Sequence, residues 1–386
     1  MKGDTMTKHT VYSGIDRLDT VAAQLRGKRL GLMTNQTGMD RHFRSSIDLL
    51  HAQFDLTALF AVEHGIRGDV QAGAAYETAP DPATGVPVYA VYGKTHRLTP
   101  EMLDAFDVFC FDMQDVGARF YTYLYALSFA MEECARAGKP VVVFDRINPL
   151  GGERVEGPVL DPRFASYVGM YPLPTRYGLT IGEYALWVRR HLGLDLDLTV
   201  VPLAGWQRGF YLDDTDLPWV APSPNCATLH AALCYIGSCV FEGTNLSEGR
   251  GTTLPFEYIG APFIDAARLE ERMSAHDLPG LHFRAAHFTP TFSKHAGTPC
   301  HGVQMHITDR DRAEAVEGAL TLLDEVRALY PRDFAWHQNT PDTYFIDKLL
   351  GTDAYRLGRY DARSLLAAHR DARQAFLEDR REIMLY

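Results

Sequence analysis

Glu63 and His64 stand side by side directly after an apolar, β-prone run (residues 56–62), and Gly65 and Arg67 follow them. A carboxyl at the mouth of a buried strand is partly desolvated, so it holds a proton more readily than one in water. A general acid for glycoside cleavage needs that property, and an imidazole beside it could orient it. The plainer alternative is a structural ion pair between Glu63 and Arg67. Three more strand-like runs also end in polar groups. Residues 29–33 lead into Thr34-Asn-Gln-Thr-Gly38, with Asn35 and Gln36. Residues 108–113 lead into Gln114 and Asp115, then Arg119. Residues 141–144 lead into Asp145 and Asn148. In a parallel sheet these ends share the edge where such folds keep their ligands, so the groups would converge. Singly, each has a structural use: Asn35 and Asp145 could cap the next helix, and Gln114-Asp115 could be a turn. Four unpaired polar ends buried together without a use would be expensive in stability, which favours a site.

Further along, Phe120-Tyr-Thr-Tyr-Leu-Tyr125 offers flat aromatic faces with hydroxyls, a surface suited to a sugar ring. Periodicity assigns Phe120 and Leu124 to the core and leaves Tyr121, near the start of the segment, for substrate contact. A glycine- and threonine-rich loop at 242–253 carries Glu242, Asn245, Glu248 and Arg250. Its Gly249-Arg-Gly251 lacks the third glycine and the preceding strand of a dinucleotide fingerprint, so an anion-binding or active-site loop at a domain junction fits better. His295, Cys300, His301 and His306 match no standard zinc spacing and read as strand residues, so no metal is expected. There is no Gly-x-Ser-x-Gly elbow and no phosphate-binding loop, and no cofactor is expected.

The elements that must position these groups follow from patterning. Strand-like runs at 29–33, 56–62, 86–91, 108–113 and 141–145 alternate with helix signals. Ser45 to Asp48 has capping-box form, Thr99-Pro100 opens a helix, the segment 119–137 is apolar at helical spacing and closed by Gly138, and Thr180 starts a helix ended by Gly193. The alternation predicts an α/β fold, a Rossmann-like and mainly parallel sheet with helices on both faces. After a helix near 229–240 the pattern changes to strands at 281–288 and 303–307 and helices at 313–330 and from about 362. That predicts a smaller C-terminal α+β domain, with domains at 1–235 and 236–386.

The chain has 386 residues, long enough for two cores, and a net charge of −11 from 38 basic and 49 acidic residues, which argues against nucleic acid or an anionic membrane as partner. No run approaches the roughly 18 apolar residues of a membrane span. The first ten residues have no apolar core for a secretory signal, so a cytoplasmic location is the expectation. Six scattered cysteines, with no Cys-x-x-Cys pair, read as reduced, buried small hydrophobes, with Cys226 the one candidate for an exposed thiol. The sequence gives no indication of oligomeric state.

Seven segments together resemble the NamZ-type peptidoglycan exo-β-N-acetylmuramidases, a family long known only as a domain of unknown function. They are Gly31-Leu-Met-Thr-Asn-Gln-Thr-Gly38, Ala61-Val-Glu-His-Gly-Ile-Arg-Gly68, Phe111-Asp-Met-Gln-Asp-Val-Gly-Ala-Arg-Phe-Tyr-Thr-Tyr123, Asp145-Arg-Ile-Asn-Pro-Leu-Gly-Gly152, Pro172-Leu-Pro-Thr-Arg-Tyr-Gly-Leu-Thr180, Phe241-Glu-Gly-Thr-Asn-Leu-Ser-Glu-Gly-Arg-Gly-Thr252 and Ser293-Lys-His-Ala-Gly297. The resemblance implies a Rossmann-like domain, a smaller α+β domain, and a cleft between them that releases N-acetylmuramic acid from the non-reducing ends of peptidoglycan-derived disaccharides or muropeptides. It also implies that Glu63 is the catalytic residue. Ala61-Val62 stands where that family is expected to carry Ser-Pro. On this reading Glu63 protonates the glycosidic oxygen and His64 orients it. The second group is Asp115, in preference to Glu248, or the substrate's own 2-acetamido oxygen. Arg67, Arg119 or Arg250 would pair with the lactyl carboxylate, since bidentate geometry favours arginine. Two other functions fit the same residues: a muropeptide-binding protein without turnover, and hydrolysis of a β-N-acetylglucosaminide.

Overall fold

Strands rich in Leu, Val, Phe and Met, without polar alternation, must be covered on both faces, and that requirement organises the first half of the chain. The computed structural model describes residues 8–63, 65–67, 80–93 and 95–386. Strands β1 (Arg29–Thr34), β2 (Asp55–Ala61), β3 (Val88–Ala90), β4 (Val108–Asp112) and β5 (Val141–Phe144) are followed by a small antiparallel pair, β6 (Glu156–Val159) and β7 (Pro174–Arg176), and by β8 (Leu198–Val201). The main sheet has the order β3-β2-β1-β4-β5-β8, parallel throughout. The winding direction reverses between β1 and β4, the switch point at which open α/β sheets bind ligands.

Successive residues of the strands divide between two cores, as the period of two demands. Met33, Phe60, Phe109, Phe111, Val141 and Val143 face one side, packed on α4 (below). Leu30, Leu32, Leu59, Cys110, Val142 and Phe144 face the other. The helices of this region are α1 (Ala22–Leu25), α2 (Ser46–Gln53), α3 (Pro100–Asp104), α4 (Tyr123–Arg136) and α5 (Ile181–His191). Ser45, Thr99 and Thr180 cap α2, α3 and α5 with their hydroxyls, as the sequence predicts.

Two expectations change. The helix expected over 119–137 starts only at Tyr123. The Arg119 N–H bonds the Thr175 carbonyl at 2.8 Å and Ala118 bridges to Arg176, which holds the chain extended before the helix can begin. Strand β8 was not expected. It is a sheet edge and mostly half-buried, although Leu198-Thr-Val-Val201 is itself β-prone.

Helix α6 (Leu229–Ser238) leads into the second region, where β9 (Tyr258–Ala261), β10 (Leu281–Phe288) and β11 (Cys300–Ile307) form an antiparallel sheet in the order β10-β11-β9. Helices α7 (Ala266–Ser274) and α8 (Ala315–Leu329) cover it, and α9 (Phe345–Leu350), α10 (Ala362–Ala368) and α11 (Arg370–Asp379) follow. The single last helix read from the sequence is thus two, with His369 between them. The division expected at 235/236 falls inside α6, whose Ala232 and Ile236 share one continuous core with both regions. The chain end returns to the first region: the Tyr386 hydroxyl donates to Asp145 Oδ2 at 2.7 Å and accepts from the Leu203 N–H at 2.6 Å. No helix among the described residues is long and apolar enough to cross a membrane.

Helices α6 and α8 approach so closely at Gly237 that a Cβ there would lie 2.0 Å from the Ala315 carbonyl oxygen. By helix propensity alone, Gly237→Ala should stabilise by about 1 kcal/mol. The overlap reverses the sign, and urea unfolding should show a net loss of about 1–3 kcal/mol. A gain in stability would show that the helices can separate there freely.

Candidate active site

Strand β2 ends in the buried Ala61 and Val62, and the next residue, Glu63, is half-buried at the carboxyl edge of the sheet. Its two carboxyl oxygens have separate partners. The Tyr92 hydroxyl, just beyond β3, donates to Oε1 at 2.9 Å, and the Thr122 hydroxyl, at the N-cap of α4, donates to Oε2 at 2.9 Å. Burial, and then the charge of Glu63, push the Tyr92 phenol up, so it remains a donor. His96 stacks on Tyr167 at 4.0 Å and lies edge-on to Tyr92 at 5.5 Å, which gives the carboxyl an aromatic flank. Burial holds the His96 imidazole below its ordinary value, against the pull of Glu63.

Glu63 borders a small cavity of about 60 Å³ whose walls come from the lead-in to α4 (Phe120 to Tyr123), from Ser223 and Cys226, from Tyr235 of α6, and from Arg250 and Phe256. A wider cleft of about 680 Å³ adjoins it, lined by Asn225, Glu242, Glu248, Phe292, Lys294, His337, Asn339 and Phe345, with Arg250 on the wall of both. The wider space is of the size that holds small ligands in general. Arg250 is fixed by Glu242 (Nη2 to Oε1, 2.7 Å) and Glu248 (Nε to Oε1, 3.3 Å), with its guanidinium 5.0 Å over the Phe256 ring. Lys294 Nζ bonds Glu248 Oε2 at 3.0 Å and the carbonyls of Phe241 and Leu246 at 2.7 and 2.9 Å, so the lysine ties down the 242–253 loop. Burial pushes the Glu242 carboxyl up, with Arg250 opposing and Glu248 adding to the shift.

Both halves of the chain thus meet at one polar cleft. The family model described as "Exo-beta-N-acetylmuramidase NamZ, N-terminal" matches residues 30–230, and its C-terminal counterpart matches residues 233–386. The chain belongs to the NamZ exo-β-N-acetylmuramidase family. It is 47% identical to the peptidoglycan β-N-acetylmuramidase NamZ of Bacillus subtilis (strain 168), over all of this chain and 94% of that protein. Two crystal structures of DUF1343 family proteins from Bacteroides fragilis NCTC 9343 share the fold. One has a TM-score of 0.87 at 35% identity and the other 0.75 at 30%, each covering 97% of this chain and 99% of its own.

Of the residues singled out from the sequence, Glu63, Tyr121, Glu242, Glu248 and Arg250 line these two spaces, with Arg250 common to both. His64 lies outside the described residues. Arg67 pairs with the buried Asp81 at 2.7 Å, so the alternative in which it neutralises Glu63 is replaced by a different ion pair.

Asp115 corrects the choice of second catalytic group. It is buried and does not line the small cavity, and its Oδ1 has no hydrogen-bond partner among the described residues. Its Oδ2 accepts from the Tyr177 hydroxyl and, at 2.7 Å, from the N–H of Gly117, a turn residue at φ 81°. Burial pushes its carboxyl up to about 7 against those donors.

Arg119 is likewise not a substrate residue. It is fully buried, and its guanidinium donates to the carbonyls of Pro158 (2.7 Å), Leu173 (2.6 Å) and Leu349 (2.6 Å), joining the two regions. The four amides at the strand ends each bond within the fold, although Asn35 Nδ2 and Gln36 Oε1 have no partner among the described residues. Asn35 Oδ1 accepts from the N–H and hydroxyl of Thr37 at 2.9 and 2.6 Å, and Gln36 Nε2 donates to Ala221 O at 2.8 Å. Gln114 Nε2 donates to Asp115 O and Ile147 O at 2.7 and 2.8 Å, and Asn148 bridges Leu150 N and Leu179 O at 3.1 and 3.0 Å. Asn245 joins its loop to Asp333 O and Ala335 N at 2.8 and 3.0 Å. Cys226 is buried, not an exposed thiol. Sequence reasoning missed Tyr92, Thr122, Tyr235 and Lys294. Thr122 and Lys294 lie inside family-like segments, whereas Tyr92 and Tyr235 carry no local signal.

Removing the buried guanidinium should therefore act on stability alone. Arg119→Met is expected to lower unfolding free energy by about 3 kcal/mol or more, because three carbonyls lose charged donors, with KM unchanged in the folded fraction. A raised KM at unaltered stability would return Arg119 to the substrate.

Asp115 makes a pH-dependent contribution of definite sign. Its folded value of about 7 lies above the ordinary 3.8, so folding takes up a proton between those limits. The stability it contributes is complete below about pH 4 and is lost as pH rises through about 7. Asp145, also pushed up to about 7 by burial, acts in the same direction. Urea midpoints measured from pH 5 to 8 should fall less steeply for Asp115→Asn than for the wild type; parallel curves would contradict the assignment.

Proposed function

We propose that this protein is an exo-β-N-acetylmuramidase that removes N-acetylmuramic acid from the non-reducing ends of peptidoglycan fragments, with Glu63 as its proton donor. One observation carries the assignment of Glu63: among the described residues, it is the one carboxyl on the wall of the small cavity, held there by two hydroxyls. A hydroxyl can accept as well as donate. When Glu63 takes up a proton, one partner turns to accept or yields its place to the glycosidic oxygen. Transfer of that proton breaks the bond to the leaving sugar, and the regenerated carboxylate faces the positive charge that develops on the ring.

Neither Asp115 nor Glu248 shares that cavity wall, which supports the substrate's 2-acetamido oxygen as the attacking group. Water would then open the oxazolinium-like intermediate, with Glu63 taking the water's proton. Arg250 is the arginine whose position suits the lactyl carboxylate. Arg119 is sealed away and Arg67 lines neither space, whereas Arg250, although bound to Glu242 and Glu248, is on the wall of both.

Purified protein should release N-acetylmuramic acid from a disaccharide that carries it at the non-reducing end and leave the reversed disaccharide intact. Glu63→Gln should lower that turnover by about 10²–10⁴-fold, with binding retained. Tight binding without turnover by the wild type would instead indicate a muropeptide-binding protein. Arg250→Gln should lower kcat/KM by about 10–100-fold on muramoyl substrates and far less on glucosaminyl ones. Equal losses would remove the lactyl assignment and favour the glucosaminidase reading.

A further inference from the structure

We infer that the small aromatic cavity beside Glu63 receives the N-acyl group of the sugar, and that the Tyr121 hydroxyl together with the Cys226 floor sets which acyl groups fit. This inference rests on the proposed reaction and names the recognition element within it.

Size comes first. The cavity, at about 60 Å³, has room for a handful of waters and none for a pyranose ring, which belongs in the adjoining cleft of about 680 Å³. A group of four heavy atoms, such as an acetamido substituent, matches it. The walls are braced and cannot widen easily. Tyr121 packs edge-on to Tyr123 at 4.9 Å and to Tyr235 at 6.1 Å, and Tyr235 packs edge-on to Phe256 at 4.6 Å.

Chemistry comes second. The Tyr123 hydroxyl is engaged by Pro222 O at 2.6 Å and that of Thr122 by Glu63 at 2.9 Å. The Tyr121 hydroxyl is buried and makes no hydrogen bond of good geometry among the described residues, although the Ser223 and Tyr123 hydroxyls lie close to it. A buried phenol without a partner costs free energy unless a ligand supplies an acceptor. Burial, with Tyr123 beside it, keeps this phenol protonated and therefore a donor. An amide carbonyl is the acceptor it lacks, and the acyl methyl suits the surrounding rings and thiol. A carboxylate is a poor occupant, since it would meet Glu63 at close range, whereas Arg250 offers it a charged donor at the junction.

The test is calorimetric binding to Glu63→Gln, which keeps the ligand intact. Three disaccharides are compared, with N-acetyl, N-propionyl or free amino muramic acid at the non-reducing end. The N-acetyl form should bind about 10–200-fold more tightly than the N-propionyl form, the usual effect of one surplus methylene in a closed pocket. Adding Tyr121→Phe should weaken binding of the N-acetyl ligand about tenfold and leave the amine unchanged. Adding Cys226→Ala should narrow the acetyl-to-propionyl ratio, a gain that a damaged fold cannot produce. Equal affinity for the two acyl ligands, or equal losses on acylated and free-amine ligands in Tyr121→Phe, would overturn the inference. Turnover of the N-acetyl disaccharide by wild type keeps the two proposals apart. Discrimination without turnover overturns the hydrolase reading alone, and turnover without discrimination overturns the acyl pocket alone.

Discussion

A sheet buried on both faces can present polar groups only at its ends, and this one constraint arranges the rest of the molecule. Phe60 and Ala61 of β2 are covered from opposite sides, so Glu63 is the first side chain after that strand free to meet both Tyr92 and Thr122. The loops after β1, β4 and β5 emerge along the same edge, and each must satisfy its own backbone there. Asn35, Gln114 and Asn148 do that work, closing turns whose carbonyls and N–H groups would otherwise be buried without partners.

The second region completes the site that the first one begins. Tyr235, Arg250 and Phe256 belong to it, and they face the lead-in to α4 across the small cavity, while Glu248 lines the wider cleft. Arg119 holds the two regions in register through carbonyls on either side. Two pairs of buried charges neutralise each other, Arg146 with Asp112 and Arg176 with Glu156, each at 2.6 Å. Such pairs contribute little net stability but are costly to break from one side. Glu63, like Asp115 and Asp145, has hydroxyls and no cationic side chain as hydrogen-bond partners among the described residues, but unlike Asp115 it lines the small cavity.

Much of this was legible from the residues, and the failures have physical causes. Strands β1, β2, β4 and β5 could be read because two-sided burial leaves unbroken apolar runs. Strand β8 was missed although Leu198-Thr-Val-Val201 is β-prone, because at a sheet edge it is short and only half-buried. The same ambiguity misled the reading of the site. An amide at a strand end looks alike whether it binds a ligand or closes a turn, and here Asn35, Gln114 and Asn148 close turns. Arg119 looks like a binding arginine until the carbonyls around it are known, and those lie 39, 54 and 230 residues away along the chain. Tyr92 was invisible for the same reason, because it meets Glu63 only after the sheet has formed.

The central claim is that Glu63 gives its proton to the departing sugar. It is tested most directly by comparing leaving groups in wild type and Glu63→Gln. A dinitrophenyl β-N-acetylmuramide departs without a proton, whereas a sugar hydroxyl cannot. The account predicts that the substitution nearly abolishes cleavage of the disaccharide and leaves bond breaking in the dinitrophenyl glycoside close to the wild-type rate. Equal losses on both substrates would show that Glu63 acts on the anomeric carbon or its attacking group instead of on the leaving oxygen.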